Sequence, residues 1–505
     1  MTEKVDVLIV GAGISGIAAA YYLGERCPHL SWTIVEGRAA IGGTWDFFRY
    51  PGVRSDSDMY TLGYRFRPWR GEKAIADGSA ILQYLKDTAR EFGIDRAVRF
   101  DHRVRRVSWS SGAAEWTVDI ERPSPSEPLQ IRCNFLFMCT GYYRYDLGYR
   151  PEWLGMKDFA GDIAHPQTWG TRGARRHSPS QSPSHGADRD DLDYAGKRVI
   201  VIGSGATAVT MAPALAERAG HVTVLQRSPS YVASIPARDP MAARLQKRLP
   251  FKLAAWLMRW LQILRQRYYY HLARSQPQKA RDQLLEGVRA ALGPDYDVER
   301  HFSPRYNPWD ERLCLVPDND LFNAIKAGAV SMVTDHIERF VEEGILLKSG
   351  EVLPADVIVT ATGLRMKLMH GVEIVVDGER VELGDTLSYK GIMYSNIPNL
   401  ASSFGYTNAS WTLKAELICE YVCRLLNYMA RRGYRQCRPR LDANDAETDA
   451  FISFSSGYVK RALADLPKQG KRRPWKIYQN YLKDLLMMRY GRLNDGVMEF
   501  RRLQQ

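Results

Sequence analysis

The first residues able to do chemistry lie in a glycine-rich turn near the N-terminus. Val5 to Val10 is an apolar run that predicts a buried strand, and Gly11, Gly13 and Gly16 follow it as G-x-G-x-x-G. A helix of small residues and a second strand come next, and Glu36 ends that strand. Such glycines let the backbone approach a pyrophosphate, the helix N-terminus supplies amide donors, and the acid can bind a ribose hydroxyl. The predicted dinucleotide-binding residues are Gly11, Gly13, Ser15, Gly16 and Glu36.

The same order of elements recurs in the middle of the chain. Lys197 to Ile202 predicts a strand, a second glycine turn and helix follow, and Val222 to Leu225 predicts the next strand. Here the strand is followed by Arg227 and Ser228 rather than by an acid. An acid would repel a 2′-phosphate, whereas Arg and Ser can bind one, so the first site suits FAD and the second suits NADPH over NADH. The predicted residues of this second site are Gly203, Ser204, Gly205, Ala206, Thr207, Ala208, Val209, Arg227 and Ser228.

Two further strand ends indicate where the chain leaves each nucleotide-binding unit. Phe135 to Met138 runs into Cys139-Thr140-Gly141, and Val357 to Thr360 runs into Ala361-Thr362-Gly363. We therefore predict an α/β fold with two nested Rossmann-like dinucleotide-binding domains, one for FAD and one for NADPH, and a helical insertion. The predicted boundaries are 1–145 for the first part of the FAD domain, 150–370 for the NADPH domain with the insertion at about 232–300, and 371–505 for the second part of the FAD domain.

Length and composition exclude several classes of protein. The 505 residues are 45% hydrophobic and 25% charged, as in ordinary globular chains, so a disordered or fibrous protein is excluded. The seven cysteines contain no C-x-x-C pair, which argues against a disulfide framework, a zinc site and a disulfide reductase. The net charge of +13 comes without a recognisable nucleic-acid module. We expect a cytoplasmic protein without a metal site or a nucleic-acid partner.

One helical pattern inside the insertion has two interpretations. Leu253, Trp256, Leu257, Trp260, Leu261 and Leu264 follow i, i+3, i+4, i+7 spacing. The favoured interpretation is a helix whose apolar stripe packs on the NADPH domain. The alternative is a helix that lies on a membrane surface, with the protein peripherally attached.

A signature before the second glycine turn carries a family resemblance. Phe159-x-Gly161-x-x-x-His165-x-x-x-Trp169 resembles the F-x-G-x-x-x-H-x-x-x-W signature of Baeyer–Villiger and related flavin-containing monooxygenases. Gly170 departs from the Pro or Asp that usually follows, and the polar stretch Gly170 to Asp190 resembles an insertion, which we expect to be a mobile loop. The stretches Gly42 to Trp45, Arg49 to Asp56, Gly203 to Val209, Tyr306 to Pro317 and Gly405 to Trp411 resemble the bacterial ethionamide-activating type of this family.

The resemblance implies a reaction and two catalytic residues. Family members use FAD, NADPH and O2, and convert ketones to esters through a C4a-peroxyflavin; they also oxygenate sulfides and thioamides. The Arg that follows the helical insertion in the family corresponds to Arg312, which would stabilise the oxyanion, and its Asp partner corresponds to Asp56. Glu311 stands where many members have Lys, so NADPH preference would depend mainly on Arg227 and Ser228.

The resemblance also places residues around FAD. Val104 would bind the adenine through its backbone, and Asn408 or Ser410 would cap a helix whose N-terminus faces the flavin. Further expected cofactor-binding residues are Thr44, Trp45, Asp46, Phe47, Arg54, Ser55 and Asp56. The main alternative is a flavin-containing N- or S-hydroxylating monooxygenase without ketone activity, which would need neither Arg312 nor Asp56. A flavoprotein reductase with a protein partner is disfavoured by the missing cysteine pair.

Overall fold

The computed structural model describes residues 3–123, 129–169, 192–311, 313–442, 447–452, 454 and 456–503. Two predictions fall outside these ranges, namely the position of the candidate catalytic Arg312 and the loop Gly170 to Asp190. The chain divides into three consecutive stretches, because its two large sheets are built from alternating parts of the sequence.

The first stretch holds the first glycine turn. Its strands are β1 (Glu3–Val10), β2 (Trp32–Val35), β3 (Val98–Arg99), β4 (Arg103–Ser110), β5 (Glu115–Glu121) and β6 (Leu129–Met138). Its helices are α1 (Ile14–Arg26), α2 (Thr44–Phe47), α3 (Met59–Leu62) and α4 (Gly78–Glu91).

The second stretch holds the second glycine turn and the helical insertion. Its strands are β7 (Asp162–Ala164), β8 (Arg198–Ile202), β9 (His221–Gln226), β10 (Val232–Ile235), β11 (Cys314–Pro317), β12 (Val330–Thr334), β13 (Ile337–Val341), β14 (Gly344–Leu347), β15 (Val352–Pro354) and β16 (Val357–Thr360). Its helices are α5 (Ala206–Ala216), α6 (Pro240–Arg248), α7 (Phe251–Ser275), α8 (Pro277–Leu292), α9 (Val298–Phe302) and α10 (Asp320–Lys326).

The third stretch returns to the first sheet. Its strands are β17 (Glu373–Val376), β18 (Glu379–Val381), β19 (Ser388–Tyr389), β20 (Met393–Tyr394), β21 (Leu400–Ser402), β22 (Gln436–Pro439), β23 (Thr448–Ala450), β24 (Lys468–Gly470) and β25 (Met498–Arg501). Its helices are α11 (Trp411–Arg432), α12 (Gly457–Ala462) and α13 (Tyr481–Tyr490).

The first sheet joins strands from both ends of the sequence. Its order is β18-β17-β4-β5-β6-β1-β2-β3, and β21 also pairs with β6. Strands β2, β1 and β6 are parallel, as a Rossmann-like unit requires. Val7 and Ile9 on one face of β1 pack in the same core as α1, α4 and α11, whereas Leu8 and Val10 pack on the opposite face with Trp116. Apolar residues on both faces explain why β1 reads as a continuous apolar run.

The second sheet is parallel throughout and is built within the second stretch. Its order is β12-β9-β8-β16-β7. Val199 and Val201 of β8 face a core that includes α5, while Ile200 and Ile202 face the antiparallel strands β13, β14 and β15. The predicted α/β class with two Rossmann-like units is therefore confirmed.

Helix α7 differs from the prediction that its apolar stripe is packed. Leu253, Trp256 and Leu264 were expected in a packed stripe, but they are 45%, 52% and 52% exposed. The buried face instead carries Ala254, Met258, Arg259, Ile263 and Ala273. The prediction is wrong for these three residues, because the helix has apolar side chains on two faces and the face with Arg259 is the buried one. Trp260 and Leu261 of the predicted stripe do pack against buried residues. Within the described residues, no helix combines the length and hydropathy that a membrane span requires.

Candidate functional site

One cavity of about 1550 Å³ contains most of the predicted site residues that the structure describes. Its wall includes the first glycine turn, the start of α5, the segment 54–58, the start of α11 and parts of α6, α7 and α8. The carboxyl ends of β1 and β8 supply the two turns, and parallel sheets bind ligands at such ends. All three stretches of the chain therefore contribute to a single site.

The first glycine turn has no room for side chains. Gly11 has a φ of +105°, and a Cβ there would lie 2.7 Å from the carbonyl oxygen of Cys139. A Cβ on Gly16 would lie 1.8 Å from the carbonyl oxygen of Gly11. Helix α1 begins after Gly13 without a side-chain cap, and Gly13 and Ser15 line the cavity. The first amides of α1 are thus left without a capping side chain beside the cavity, which suits an anionic group.

Glu36 is fixed at the end of β2, on the cavity wall. One of its oxygens accepts a hydrogen bond from the Ala12 amide at 2.7 Å, and the other accepts from the Arg38 amide at 3.0 Å. Burial raises the pKa of Glu36, and these two hydrogen bonds partly oppose that effect. Each oxygen keeps a further lone pair for a hydroxyl donor.

The residues expected around FAD divide into two groups. Thr44, Trp45 and Phe47 of α2 and Val104 of β4 line the cavity. Asp46 is buried and does not line the cavity. It forms ion pairs with Arg38 and Arg49. Because Arg38 lines the cavity, Asp46 acts on the site by holding that guanidinium.

The second glycine turn reaches the cavity only in part. Ala206 and Thr207 line it, and α5 also begins without a side-chain cap. Gly203 has a φ of +139°, and a Cβ there would lie 2.4 Å from the carbonyl oxygen of Ala361. The other predicted residues of this turn do not line the cavity, namely Gly203, Ser204, Gly205, Ala208 and Val209.

The residues expected to select NADPH lie at the surface. Arg227 and Ser228 follow β9, are exposed and do not line the cavity. The preceding Gln226 is buried, and its side-chain amide donates to the His301 carbonyl at 2.8 Å and to the Thr334 hydroxyl at 2.9 Å. The side chain of Gln226 is therefore committed to contacts within the protein, whereas Arg227 and Ser228 are accessible to solvent.

The segment 54–58 lies on the cavity wall between the two sheets. Arg54 forms an ion pair with Asp320 of α10, and the Ser55 hydroxyl donates to the Ser57 carbonyl at 2.8 Å. Asp56 lines the cavity, as do Arg54 and Ser55. The structure does not place the expected pair of Asp56 and Arg312, because the arginine is outside the described residues.

A hydrogen-bonded group beside this segment was missed by sequence reasoning. Asp58 caps α3 by accepting from the Thr61 amide at 3.0 Å, and Gln266 of α7 donates to Asp58 at 2.8 Å. The Thr61 hydroxyl lies 2.5 Å from the Ser410 hydroxyl, and burial raises the pKa of Asp58. The Asp-x-x-Thr spacing is an N-cap pattern that could have identified Asp58 and Thr61; nothing in the sequence indicated Gln266.

The start of α11 differs from the prediction. Ser410 occupies the N-cap position, but its side chain makes no cap hydrogen bond. Asn408 donates to the Gln479 carbonyl at 3.0 Å instead of capping the helix. The prediction of a side-chain cap is wrong because tertiary partners take both polar groups. The N-terminus of α11 therefore remains uncapped by a side chain, and Ser410 and Trp411 line the cavity.

The signature residues belong mainly to the second sheet. Phe159 packs on Phe340, and Trp169 packs on Tyr194. His165 follows β7 on the cavity wall, where its Nδ1 accepts from the Gln167 amide at 3.1 Å. Burial lowers the pKa of His165 to about 4, so the ring is neutral at pH 7 with its proton on Nε2.

Comparisons with known proteins agree with this arrangement. Residues 9–68 match the model of the NAD(P)-binding Rossmann-like domain family. The chain is 51% identical over 501 residues to the FAD-containing monooxygenase EthA of Mycobacterium tuberculosis, covering 99% of this chain and 98% of that protein. It is 43% identical over 502 residues to the probable FAD-binding monooxygenase AlmA of Acinetobacter baylyi, covering 99% and 97%. Oxidized steroid monooxygenase bound to NADP shares the fold, with a TM-score of 0.74, 23% identity and coverage of 99% and 100%.

Proposed function

Because this chain belongs to the family of FAD-containing monooxygenases that includes EthA, we propose that it uses FAD, NADPH and O2 to insert one oxygen atom into small molecules. The proposed substrates are ketones, which become esters, and sulfides or thioamides, which gain oxygen on sulfur. The observation that carries the proposal is a single cavity that two glycine turns and the segment 54–58 line together.

The residues present fit FAD at the first glycine turn. The uncapped start of α1 would bind the pyrophosphate, Glu36 the ribose and the Val104 backbone the adenine. The uncapped start of α11 would stabilise negative charge on the flavin. The other residues assigned to this cofactor are Gly11, Gly13, Ser15, Gly16, Thr44, Trp45, Asp46, Phe47, Arg54, Ser55 and Asp56.

The second turn and its flanks fit NADPH. The start of α5 would bind the pyrophosphate, and Arg227 with Ser228 would bind the 2′-phosphate at the surface. The functional units in this proposal are an FAD domain formed by residues 1–145 and 371–505 and an NADPH domain formed by residues 150–370.

One residue of the chain would act on the substrate, and a second would position that residue. FAD bound in this cavity would supply the activation of O2. The positively charged guanidinium of Arg312 would stabilise the negative charge that develops on the ketone oxygen. Asp56 would orient that guanidinium. The wall around the segment 54–58 would keep the reacting groups away from bulk water.

A turnover assay tests the reaction type. NADPH consumption is measured with and without an aryl ketone and, separately, an aryl sulfide, and the product masses are determined. We expect both substrates to gain one oxygen atom. Gain on the sulfide alone would replace the ketone reaction with the narrower S- or N-oxygenating function, and gain on neither would refute the proposed function.

Replacing Arg312 tests the catalytic assignment. Arg312→Ala should still bind FAD and oxidise NADPH, because the glycine turns, Glu36 and Arg227 serve those steps. Ester formation should fall by several orders of magnitude and hydrogen peroxide should be released, since the fixed cation is lost. Arg312→Lys should restore only part of the yield, because lysine keeps the charge but lacks the planar guanidinium that can donate two parallel hydrogen bonds. Wild-type ester yield from the alanine variant would remove Arg312 from the mechanism.

The exposed face of α7 supports a further proposal, peripheral attachment to an anionic membrane surface. Leu253, Trp256 and Leu264 lie on one face at helical spacing and are about half exposed, and Tyr268 on the same face is 63% exposed. Residues 240–281 contain seven arginines and three lysines but no aspartate or glutamate. An apolar face within a strongly basic segment complements an anionic lipid surface.

Vesicle sedimentation tests this attachment. The protein should sediment with phosphatidylglycerol vesicles at low salt, and high salt should release it. It should not sediment with phosphatidylcholine vesicles. Trp256→Ser combined with Leu264→Ser should weaken binding by roughly tenfold or more, given about 1.5–3 kcal/mol per buried apolar side chain. Leu154→Ser, at a leucine between β6 and β7 that is 77% exposed, is the control for a single exposed leucine outside α7. Absence of wild-type binding, or equal loss in the control, would refute the attachment.

A further inference from the structure

The cavity reaches the molecular surface at the helical insertion. Met241 of α6 and Tyr269 of α7 line it and are 36% and 60% exposed. Two arginines, Arg244 of α6 and Arg265 of α7, line the same end. None of the predicted cofactor-binding residues belongs to α6 or α7, so these two arginines have no role in the proposed binding of FAD or NADPH.

In the described ranges, the two arginines at this end outnumber the one carboxylate that is paired with either of them. Asp239 at the start of α6 accepts from the Met241 amide and from Gln262 at 2.8 Å each, and from Arg265 at 3.2 Å. Within the described part of the chain, Arg265 has no other acceptor and Arg244 has none. Arg244 lies five residues beyond Asp239, about 7.5 Å along the helix, so it remains free to meet an anion.

The wall of the cavity also carries apolar side chains of the helical insertion and of the segment that follows it. Leu272 of α7, Leu284 of α8 and Trp309 line it. Gln266, next to Arg265 in the sequence, donates to Asp58, which is two residues from Asp56. Helix α7 therefore carries Arg265 and also contacts the segment that contains Asp56.

We propose that Arg244 and Arg265 bind a carboxylate of the substrate, so that the enzyme prefers ketones whose apolar chain ends in a carboxylate. This rests on the proposed oxygenation of ketones. The planar guanidinium groups match a carboxylate, and the apolar wall takes the chain between the carboxylate and the carbonyl group. Arg244 and Arg265 are specificity residues in this scheme and take no part in the bond changes.

A series of linear oxo-carboxylic acids, each compared with its own methyl ester, tests the proposal. The measured quantity is the ratio of kcat/KM for the acid to that for the ester, without lipid present. We expect the wild type to favour the acid at its best chain length, and salt to reduce that preference. Arg244→Ala and Arg265→Gln should each lower the ratio about tenfold, the loss of one charge-assisted contact. Calorimetry on the FAD-loaded protein should show the same order for binding of the acid.

Arg248→Ala is the matched control, because Arg248 is exposed on the same helix and does not line the cavity. It should keep the wild-type ratio. The proposal is refuted if the wild type does not prefer the acids, if Arg248→Ala lowers the ratio as Arg244→Ala does, or if Arg244→Ala instead raises the KM for NADPH, which would assign the charge to the cofactor. Failure of the proposed function would be distinct, since neither acids nor esters would then gain oxygen.

Discussion

A charged residue that follows a strand, Arg227, would determine the proposed preference for NADPH over NADH. Arg227 is exposed after β9 and has no acceptor among the described residues, while Gln226 is held by His301 and Thr334. Arg227→Ala should raise the KM for NADPH by roughly 10- to 100-fold, the loss of one charge-assisted contact to the 2′-phosphate. The KM for NADH serves as the internal control and should hardly change. Equal losses for both coenzymes would show that Arg227 does not bind that phosphate.

His165 gives a residue-scale prediction about pH. Burial lowers its folded-state pKa to about 4, so the unfolded chain binds more protons at this site between about pH 4 and pH 6.5. The protein should therefore lose about 2 kcal/mol of stability through this group as the pH falls from 7 to 5. His165→Asn, which keeps an acceptor for the Gln167 amide, should remove that part of the loss. Thermal unfolding at both pH values measures it, and an unchanged pH response would contradict the neutral buried ring.

At the scale of elements, α7 is anchored to α3 and α11 by a buried arginine. Arg259 donates to the carbonyl oxygens of Tyr60 and Gly63 at 3.1 and 2.7 Å, and to Glu416 at 2.5 Å. Glu416 also accepts from the Tyr22 hydroxyl at 3.1 Å. The helical insertion is therefore tied directly to the helix that follows the first sheet, beside the segment 54–58.

Removing this anchor should be costly because it leaves a buried carboxylate. Arg259→Met should lower the free energy of unfolding by roughly 3–5 kcal/mol. The double variant Arg259→Met with Glu416→Gln should recover part of the loss, since the stranded charge is gone. Arg267→Met, at an exposed position of α7, is the control and should change stability by less than about 0.5 kcal/mol. A double variant no more stable than Arg259→Met alone would show that charge burial is not the cause.

At the scale of the molecule, an ion pair joins the parts that carry the two sheets. Arg54 comes from the first stretch and Asp320 begins α10 in the second, and their side chains are only 10% and 29% exposed. Because both glycine turns contribute to one cavity, the relative position of these parts would set the alignment of the two proposed cofactor sites. We therefore expect a change in this pair to affect the use of NADPH more than the fold of either sheet.

Asp320→Asn should weaken this contact by about 1–2 kcal/mol. We expect kcat/KM for NADPH to fall several-fold while the FAD content stays at the wild-type level. Asp356→Asn breaks the pair between Asp356 and Arg198 within the second stretch and is the matched control. Loss of FAD, or the same kinetic effect in both variants, would contradict a role in joining the two parts.

The sequence by itself determined the features that depend on local spacing. The glycine turns, Glu36 and the strands that lead into them were predictable, because the backbone conformation and the close approach at Gly11 and Gly16 allow few other residues. Tertiary structure decided the contacts between distant residues, such as Arg259 with Glu416, 157 positions apart, and Arg54 with Asp320, 266 apart. It also decided which face of α7 is buried and left Ser410 bonded to Thr61 instead of capping α11. Periodicity shows that a helix has an apolar face, but only the packed neighbours determine which of two such faces leaves water, since burial depends on finding a complementary surface.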